Sequence, residues 1–132
     1  MTSVSSCPNC GISNYDNMVP CEDCGHFRIG RLRVRNGSSD VGMISIRTAV
    51  GRDLLIRWLG IVEGQFANTV QYTFHPDPAR GWTIIAARGC LNPTLINGRS
   101  IEPDTEHPLV DGMLITVGST RARIEIQIVR EP

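Results

Sequence analysis

Arg121-Ala122-Arg123-Ile124-Glu125-Ile126-Gln127-Ile128-Val129 alternates polar and apolar side chains, so that Ala122, Ile124, Ile126 and Ile128 share one face. A period of two belongs to a pleated strand with one side on a core and the other toward water. Moving outward, Leu114–Val117, Trp82–Ala86, Phe66–Phe74, Met43–Arg47 and Arg31–Arg35 alternate in the same way, and the last runs into an Asn36-Gly37 turn signal. Pro76, Pro78, Gly81, Pro93, Gly98, Pro103, Pro108 and Gly112 punctuate these runs, with His75-Pro76-Asp77-Pro78 and His107-Pro108 reading as turns. No stretch carries a clear helical stripe; Asp53–Leu59 is the best candidate and is short. Short strands at intervals of roughly 8–12 residues predict an all-β antiparallel sandwich.

Ahead of the sandwich the chain changes character. Cys7-Pro8-Asn9-Cys10-Gly11 and Cys21-Glu22-Asp23-Cys24-Gly25 are two frames of one pattern, ten residues apart. Each lets a tight turn aim two sulfurs at one point, and two such turns can close a tetrahedral four-thiolate cage around one structural Zn²⁺. A pair of disulfides, or four unrelated buried cysteines, are the competing readings. The spacing, the glycine after each pair and the expected absence of a secretory leader favour metal, with zinc preferred to iron in a short closed site. Between residues 7 and 25 only Ile12, Tyr15, Met18 and Val19 could build a core. Units below about 40 residues usually need a metal to make up such a deficit. Zinc binding supplies on the order of 10–16 kcal/mol of coupled folding energy in comparable peptides. The expected organisation is a zinc ribbon over residues 1–27, opening on a short disordered lead, joined through Gly25–Arg28 to a sandwich over residues 28–132.

The 132 residues carry 13 acidic and 13 basic side chains, so net charge points to no polyanionic partner. All of the basic residues are arginine. Residues 1–27 hold Asp16, Glu22 and Asp23 and no arginine, which argues against the ribbon as a nucleic-acid reader. Arg31, Arg33 and Arg35 could form a basic stripe, or the solvated face of an edge strand. No apolar run approaches the roughly 18 residues that would span a bilayer, and a cytoplasmic location is expected. Cys90 stands alone and reads as a small buried thiol; His26 follows a complete thiolate set and reads as solvated or as a hydrogen-bond donor to one of the thiolates. No phosphate loop, carboxylate pair or Ser-His-Asp set can be assembled, so the chain is not expected to be an enzyme.

Two resemblances add to this reading. Cys7–Gly25 resembles the short zinc-ribbon module that heads many bacterial and archaeal proteins. Residues 28–130 resemble a divergent forkhead-associated (FHA) domain, a β-sandwich whose loops bind phosphothreonine in partner proteins. Gly51-Arg52-Asp53 is similar to that family's GRD turn, and Val62–Ala67 takes the place of its VSRxHA segment. Gly89-Cys90-Leu91-Asn92-Pro93-Thr94-Leu95-Ile96-Asn97-Gly98 is similar to GSTNGTxVNG, and Leu109–Gly118 to LxDGDxIxIG.

The resemblance makes Arg52 the main phosphate ligand, suited by a guanidinium fork that matches two phosphate oxygens. It makes Asn92 and Asn97 shapers of the binding loops and partners of the ligand backbone, although both could simply hold turns. Glu63 then replaces a serine donor, Gly64 an arginine, and Phe66 the histidine that braces the loops. A carboxylate about 5 Å from a phosphate dianion costs several kcal/mol at an effective dielectric of about 20. Glu63 paired with Arg52 would fill the site from within, so the phosphothreonine site reads as degenerate. Leu55 and Trp58 could supply an apolar contact surface instead.

The expected function is a non-catalytic protein–protein interaction adaptor. Its alternatives are a phosphothreonine-dependent adaptor in a Ser/Thr kinase pathway and a zinc-ribbon nucleic-acid binder. The expected partner is another protein, with a phosphothreonine-bearing one as the alternative, and neither nucleic acid nor membrane. Metal analysis of the purified chain should return one zinc per molecule. Replacing Cys10 by Ser should abolish that stoichiometry, and zinc retained in full by the variant would rule out the four-thiolate cage.

Overall fold

The computed structural model describes residues 4–6, 13–15, 29–77 and 80–129. Strand β1 (Val4–Ser6) pairs antiparallel with β2 (Ser13–Tyr15), in register Val4 to Tyr15 and Ser6 to Ser13. Met1–Ser6 reads in sequence as a loose lead, yet three of its residues enter this ladder. Backbone pairing needs no apolar pattern, so composition carries no sign of it. Cys7, Cys10, Cys21 and Cys24 lie outside the described residues.

From Arg31 onward the chain runs β3 (Arg31–Asn36), β4 (Ser39–Ile44), β5 (Thr48–Val50), α1 (Arg52–Leu59), α2 (Ile61–Gly64), β6 (Tyr72–Asp77) and β7 (Gly81–Ala86). It continues as β8 (Thr94–Ile96), β9 (Arg99–Ser100), β10 (Glu106–Pro108), β11 (Met113–Val117) and β12 (Arg123–Val129). One sheet has the order β10-β7-β6-β5 and the other β4-β3-β12-β11-β8-β9, with every named pairing antiparallel. Inward side chains from both sheets form one apolar core: Leu32, Val34, Met113, Ile115, Ile124 and Ile126 from one, Val50, Tyr72, Phe74, Trp82 and Ile84 from the other. Ala122, Ile124 and Ile126 are buried and Ile128 packs against them, on the face the alternation predicts. The Trp82 indole N–H donates to the Gly30 carbonyl at 3.0 Å, tying the second sheet to the entry of β3. The all-β sandwich is therefore present.

Several elements differ from the sequence expectation. Leu54, Leu55, Trp58 and Leu59 recur at helical spacing, and α1 forms with Leu55 fully buried and the other three packed on the core. The stripe is hidden in sequence because Ile56 adds an apolar side chain on another face and the segment is short. Trp58 therefore makes no free contact surface; its indole lies over Gly42 on β4. The strand expected from Phe66 begins only at Tyr72, because residues 61–64 turn helically first. His75-Pro76-Asp77 extends β6 rather than turning. β5 pairs with β6 only as far as Phe74, so Pro76 faces no neighbour on that side and its missing N–H costs no ladder bond. His107-Pro108 likewise belongs to β10, an edge strand. β3 is interior, flanked by β4 and β12, so its arginines are not an edge device. Arg35 pairs with Asp40 at 2.9 Å and Arg33 with the same carboxylate at 3.7 Å.

Tyr72 is fully buried against Phe74, with ring centroids 5.4 Å apart, and its hydroxyl has no hydrogen-bond partner among the described residues. An unmet buried hydroxyl costs about 1–3 kcal/mol. Replacing Tyr72 by Phe should therefore leave stability unchanged or raise it by about 1 kcal/mol near neutral pH. Burial also holds the phenol well above its ordinary value. The group ionises only on unfolding, so native stability should fall once pH exceeds about 10, by up to about 1.4 kcal/mol per pH unit. No lysine titrates in that window, since the chain has none. Denaturant melts at pH 9 and 11 should show the Tyr72→Phe chain losing distinctly less; equal losses would contradict the assigned burial.

Candidate functional site

Arg52 opens α1 at the end of β5, and its placement depends on Gly51. A Cβ on Gly51 would lie 1.7 Å from the Thr69 carbonyl oxygen, so only glycine lets these two segments pass. That approach allows the Arg52 amide to donate to the Asn68 carbonyl at 2.9 Å. Gly51 offers no capping side chain, which leaves the positive end of α1 beside the Arg52 side chain.

The loops around Arg52 are held by one buried amide, Gln71, which is fully shielded from solvent. Its Nε2 donates to the Asn92 carbonyl at 2.7 Å and to Thr94 Oγ1 at 3.1 Å, and its Oε1 accepts from the Asn68 amide at 3.1 Å. Asn68 Oδ1 in turn accepts from the Leu91 amide at 3.1 Å, and Asn92 Nδ2 donates to the Phe66 carbonyl at 3.0 Å. Three stretches of chain, at Phe66–Asn68, Gln71 and Leu91–Thr94, are thus locked together. Sequence reasoning did not single out Gln71; the resemblance only placed Phe66 where the family has its bracing histidine. The signal was present: Tyr72 and Phe74 begin the core alternation, which makes Gln71 the residue at the strand's mouth.

Arg52 lines a concavity of about 420 Å³ with Gln65, Phe66, Ala67, Asn68, Thr69 and Leu91. Among the described residues its lining contains no carboxylate. Glu63 lies elsewhere, lining a separate concavity with Thr116, Thr120, Arg121 and Arg123. The cause is α2: Gly64 is buried against the backbone of Leu55 and Ile56, and this contact turns Glu63 back toward Gly60. No ion pair joins Arg52 to Glu63 among the described residues, so the expected self-filling of the site is absent.

Asn92 and Asn97 do different things. Asn92 braces the loops and also lines a concavity of about 360 Å³ with Val62, Phe66, Ser119, Thr120 and Arg121. Asn97, at φ 49° beside Gly98 at φ 84°, makes the tight turn between β8 and β9. Its Oδ1 accepts from the Leu114 amide at 2.9 Å, and it lines none of these concavities. Cys90 directs its thiol to the Val70 carbonyl at 3.5 Å, and burial pushes the thiol up, which disfavours the nucleophilic thiolate. No cluster of His, Cys, Asp and Glu suited to a metal occurs among the described residues. None of their helices is long and apolar enough to cross a membrane.

Replacing Gln71 by Leu would leave the Asn92 carbonyl and the Asn68 backbone N–H, both on half-buried residues, without their partner. Denaturant unfolding should show a loss of about 2–3 kcal/mol. A loss below about 0.5 kcal/mol would mean that the amide does not hold the loops.

No protein-family model matches the sequence, and no curated protein matches it. Solved structures do share its architecture. The FHA domain of an Arabidopsis thaliana hypothetical protein is similar at TM-score 0.57 and 24% identity, over 79% of this chain and 91% of that one. The MEK1 FHA domain is similar at TM-score 0.51 and 21% identity, over 75% and 88% of the two chains. The same domain in complex with a phosphothreonine peptide of HOP1 is similar at TM-score 0.50 and 19% identity, over 75% and 97%. The likeness is one of fold: the sandwich that positions Arg52, Gln71 and Asn92 is built as in FHA domains.

Proposed function

We propose that this chain is a non-catalytic protein–protein interaction module that receives a phosphothreonine of its partner in the Arg52 concavity. The observation that carries this reading is the separation of Glu63 from Arg52 by the α2 turn. The repulsion of several kcal/mol that makes the site look degenerate in sequence requires the acid to stand beside the phosphate. With Glu63 elsewhere, a dianion would meet the Arg52 fork, the Thr69 hydroxyl and the side-chain Nδ2 N–H groups of Asn68. Charge-assisted bonds of that kind are the strong class. The bound phosphothreonine peptide in the MEK1 FHA structure supports the choice of ligand.

A phosphate-independent adaptor is the second reading, supported by exposed Leu91, which stands at 86% exposure where the resemblance expects a hydroxyl. Nucleic-acid binding through β3 is less well supported, because Arg33 and Arg35 share Asp40. For the amino-terminal part we infer one structural Zn²⁺ on Cys7, Cys10, Cys21 and Cys24, supported by the paired frames and by the β1–β2 ladder that brackets the first of them.

Titrating phosphothreonine peptides and their unphosphorylated twins should give binding only to the former, lost by about 10–100-fold in the Arg52→Ala chain. Affinity should also fall below about pH 6, where the phosphate gains a proton while arginine stays charged. Equal binding of both peptide sets would overturn the phosphate reading and leave the adaptor one.

A further inference from the structure

Asn-Gly occurs twice in the sandwich, as Asn36-Gly37 and Asn97-Gly98, and each copy lies at an exposed turn between two strands. The dipeptide carries a latent reaction. The backbone nitrogen that follows an asparagine can attack the side-chain carboxamide carbon, and a glycine there offers no side chain to obstruct the approach. Sequence gives the two copies equal standing. So do the glycines, since a Cβ on either Gly37 or Gly98 would meet nothing within 4 Å.

The asparagines themselves differ. Asn97 is tied to β11 twice: its backbone N–H donates to the Leu114 carbonyl at 2.8 Å, and its Oδ1 accepts from the Leu114 amide at 2.9 Å. Its carboxamide cannot swing toward Gly98 without breaking the second bond. The Asn36 side chain has no hydrogen-bond partner among the described residues. Its backbone lies at the tip of the β3–β4 hairpin, past a register shift between Val34 and Arg35, where only the Arg35–Asp40 and Asn36–Ser39 pairs remain. A short ladder beyond such an irregularity opens locally at low cost. Opening is what the reaction needs, because extended backbone keeps the carboxamide carbon out of line with the next nitrogen.

We propose that Asn36 is a site of spontaneous deamidation and that Asn97 is protected from it. The Gly37 amide nitrogen gives its proton to solvent and bonds to Asn36 Cγ, while the carboxamide C–N bond breaks and ammonia leaves. Water then opens the cyclic imide at either carbonyl and yields aspartate or isoaspartate. Water is the sole co-reactant, and nothing is oxidised or reduced.

The product alters a local charge balance. Asn36 lines a concavity of about 110 Å³ with Arg35, Arg123 and Glu125, so two cations there face one carboxylate. A new carboxylate at position 36 makes that balance even. It also competes for Arg35, which now stands 2.9 Å from Asp40 and donates to the Ser38 carbonyl at 2.9 Å. Isoaspartate in addition inserts a main-chain carbon into a turn whose strands are joined by Gly37 and Ser38 alone.

The test incubates the full chain at mildly alkaline pH in heavy-oxygen water and maps its peptides by mass spectrometry. Heavy oxygen at position 36 marks imide opening during the incubation rather than during digestion. Asn36 should convert about fivefold or more faster than Asn97, the factor set by the hydrogen bond that Asn97 must break. In denaturant the two sites should convert at similar rates, because the difference resides in the fold. On ion exchange the aged chain should elute as more acidic. Asn36→Gln, whose longer side chain closes a larger ring, should hold its original position. Native conversion of Asn97 as fast as that of Asn36, or an Asn36 that stays intact in the native chain, would overturn the proposal. So would an Asn36→Gln chain that acidifies as fast as the unaltered one.

Discussion

A single buried amide organises the loop end of this molecule. Gln71 sits at the mouth of β6 with no access to water, so each of its polar atoms must find a protein partner or be left at a cost of about 1–3 kcal/mol. It meets that demand with the Asn92 carbonyl, the Thr94 hydroxyl and the Asn68 amide, groups drawn from two separate stretches of chain. The loops bearing Arg52, Phe66 and Leu91 are consequently fixed to the sandwich rather than to one another alone. Sites built on rigid elements hold their ligands' partners in place before binding, which reduces the entropy lost on association.

The second constraint is steric and acts through two glycines. Gly51 passes the Thr69 carbonyl and delivers Arg52 to the Asn68 backbone; Gly64 lets α2 lie on α1 and carries Glu63 away. The acid and the arginine are only eleven positions apart in sequence, yet they line different concavities. The electrostatic character of the site follows from that displacement. A local reading of the residue types would place opposite charges in one pocket, whereas the fold assigns each to its own.

Elsewhere the charged residues are matched quietly. Asp40 serves Arg33 and Arg35 across the β3–β4 ladder, Arg80 bridges Asp77 and Glu106, and Arg88 meets Asp104. Such exposed pairs contribute little to stability individually. Among the described residues Arg52, Arg121 and Arg123 at the loop end, like Arg47, Arg57 and Arg99, have no ion-pair partner of this kind.

The sandwich itself was legible in the chain. Alternation in β12, β11, β7 and β3 identified strands and their buried faces, because a period of two is a local property of a pleated backbone packed on one side. The Asn97-Gly98 turn was legible for a similar reason, since it rests on backbone geometry that few residues permit, while the Gly51-Arg52 step was legible only through its resemblance to the GRD turn. Tertiary structure alone decided that β6 would begin at Tyr72 and that β3 would be interior. These outcomes depend on which surfaces meet across the core and on which buried polar atoms find partners. Contacts between residues distant in sequence set both, and no local pattern encodes them.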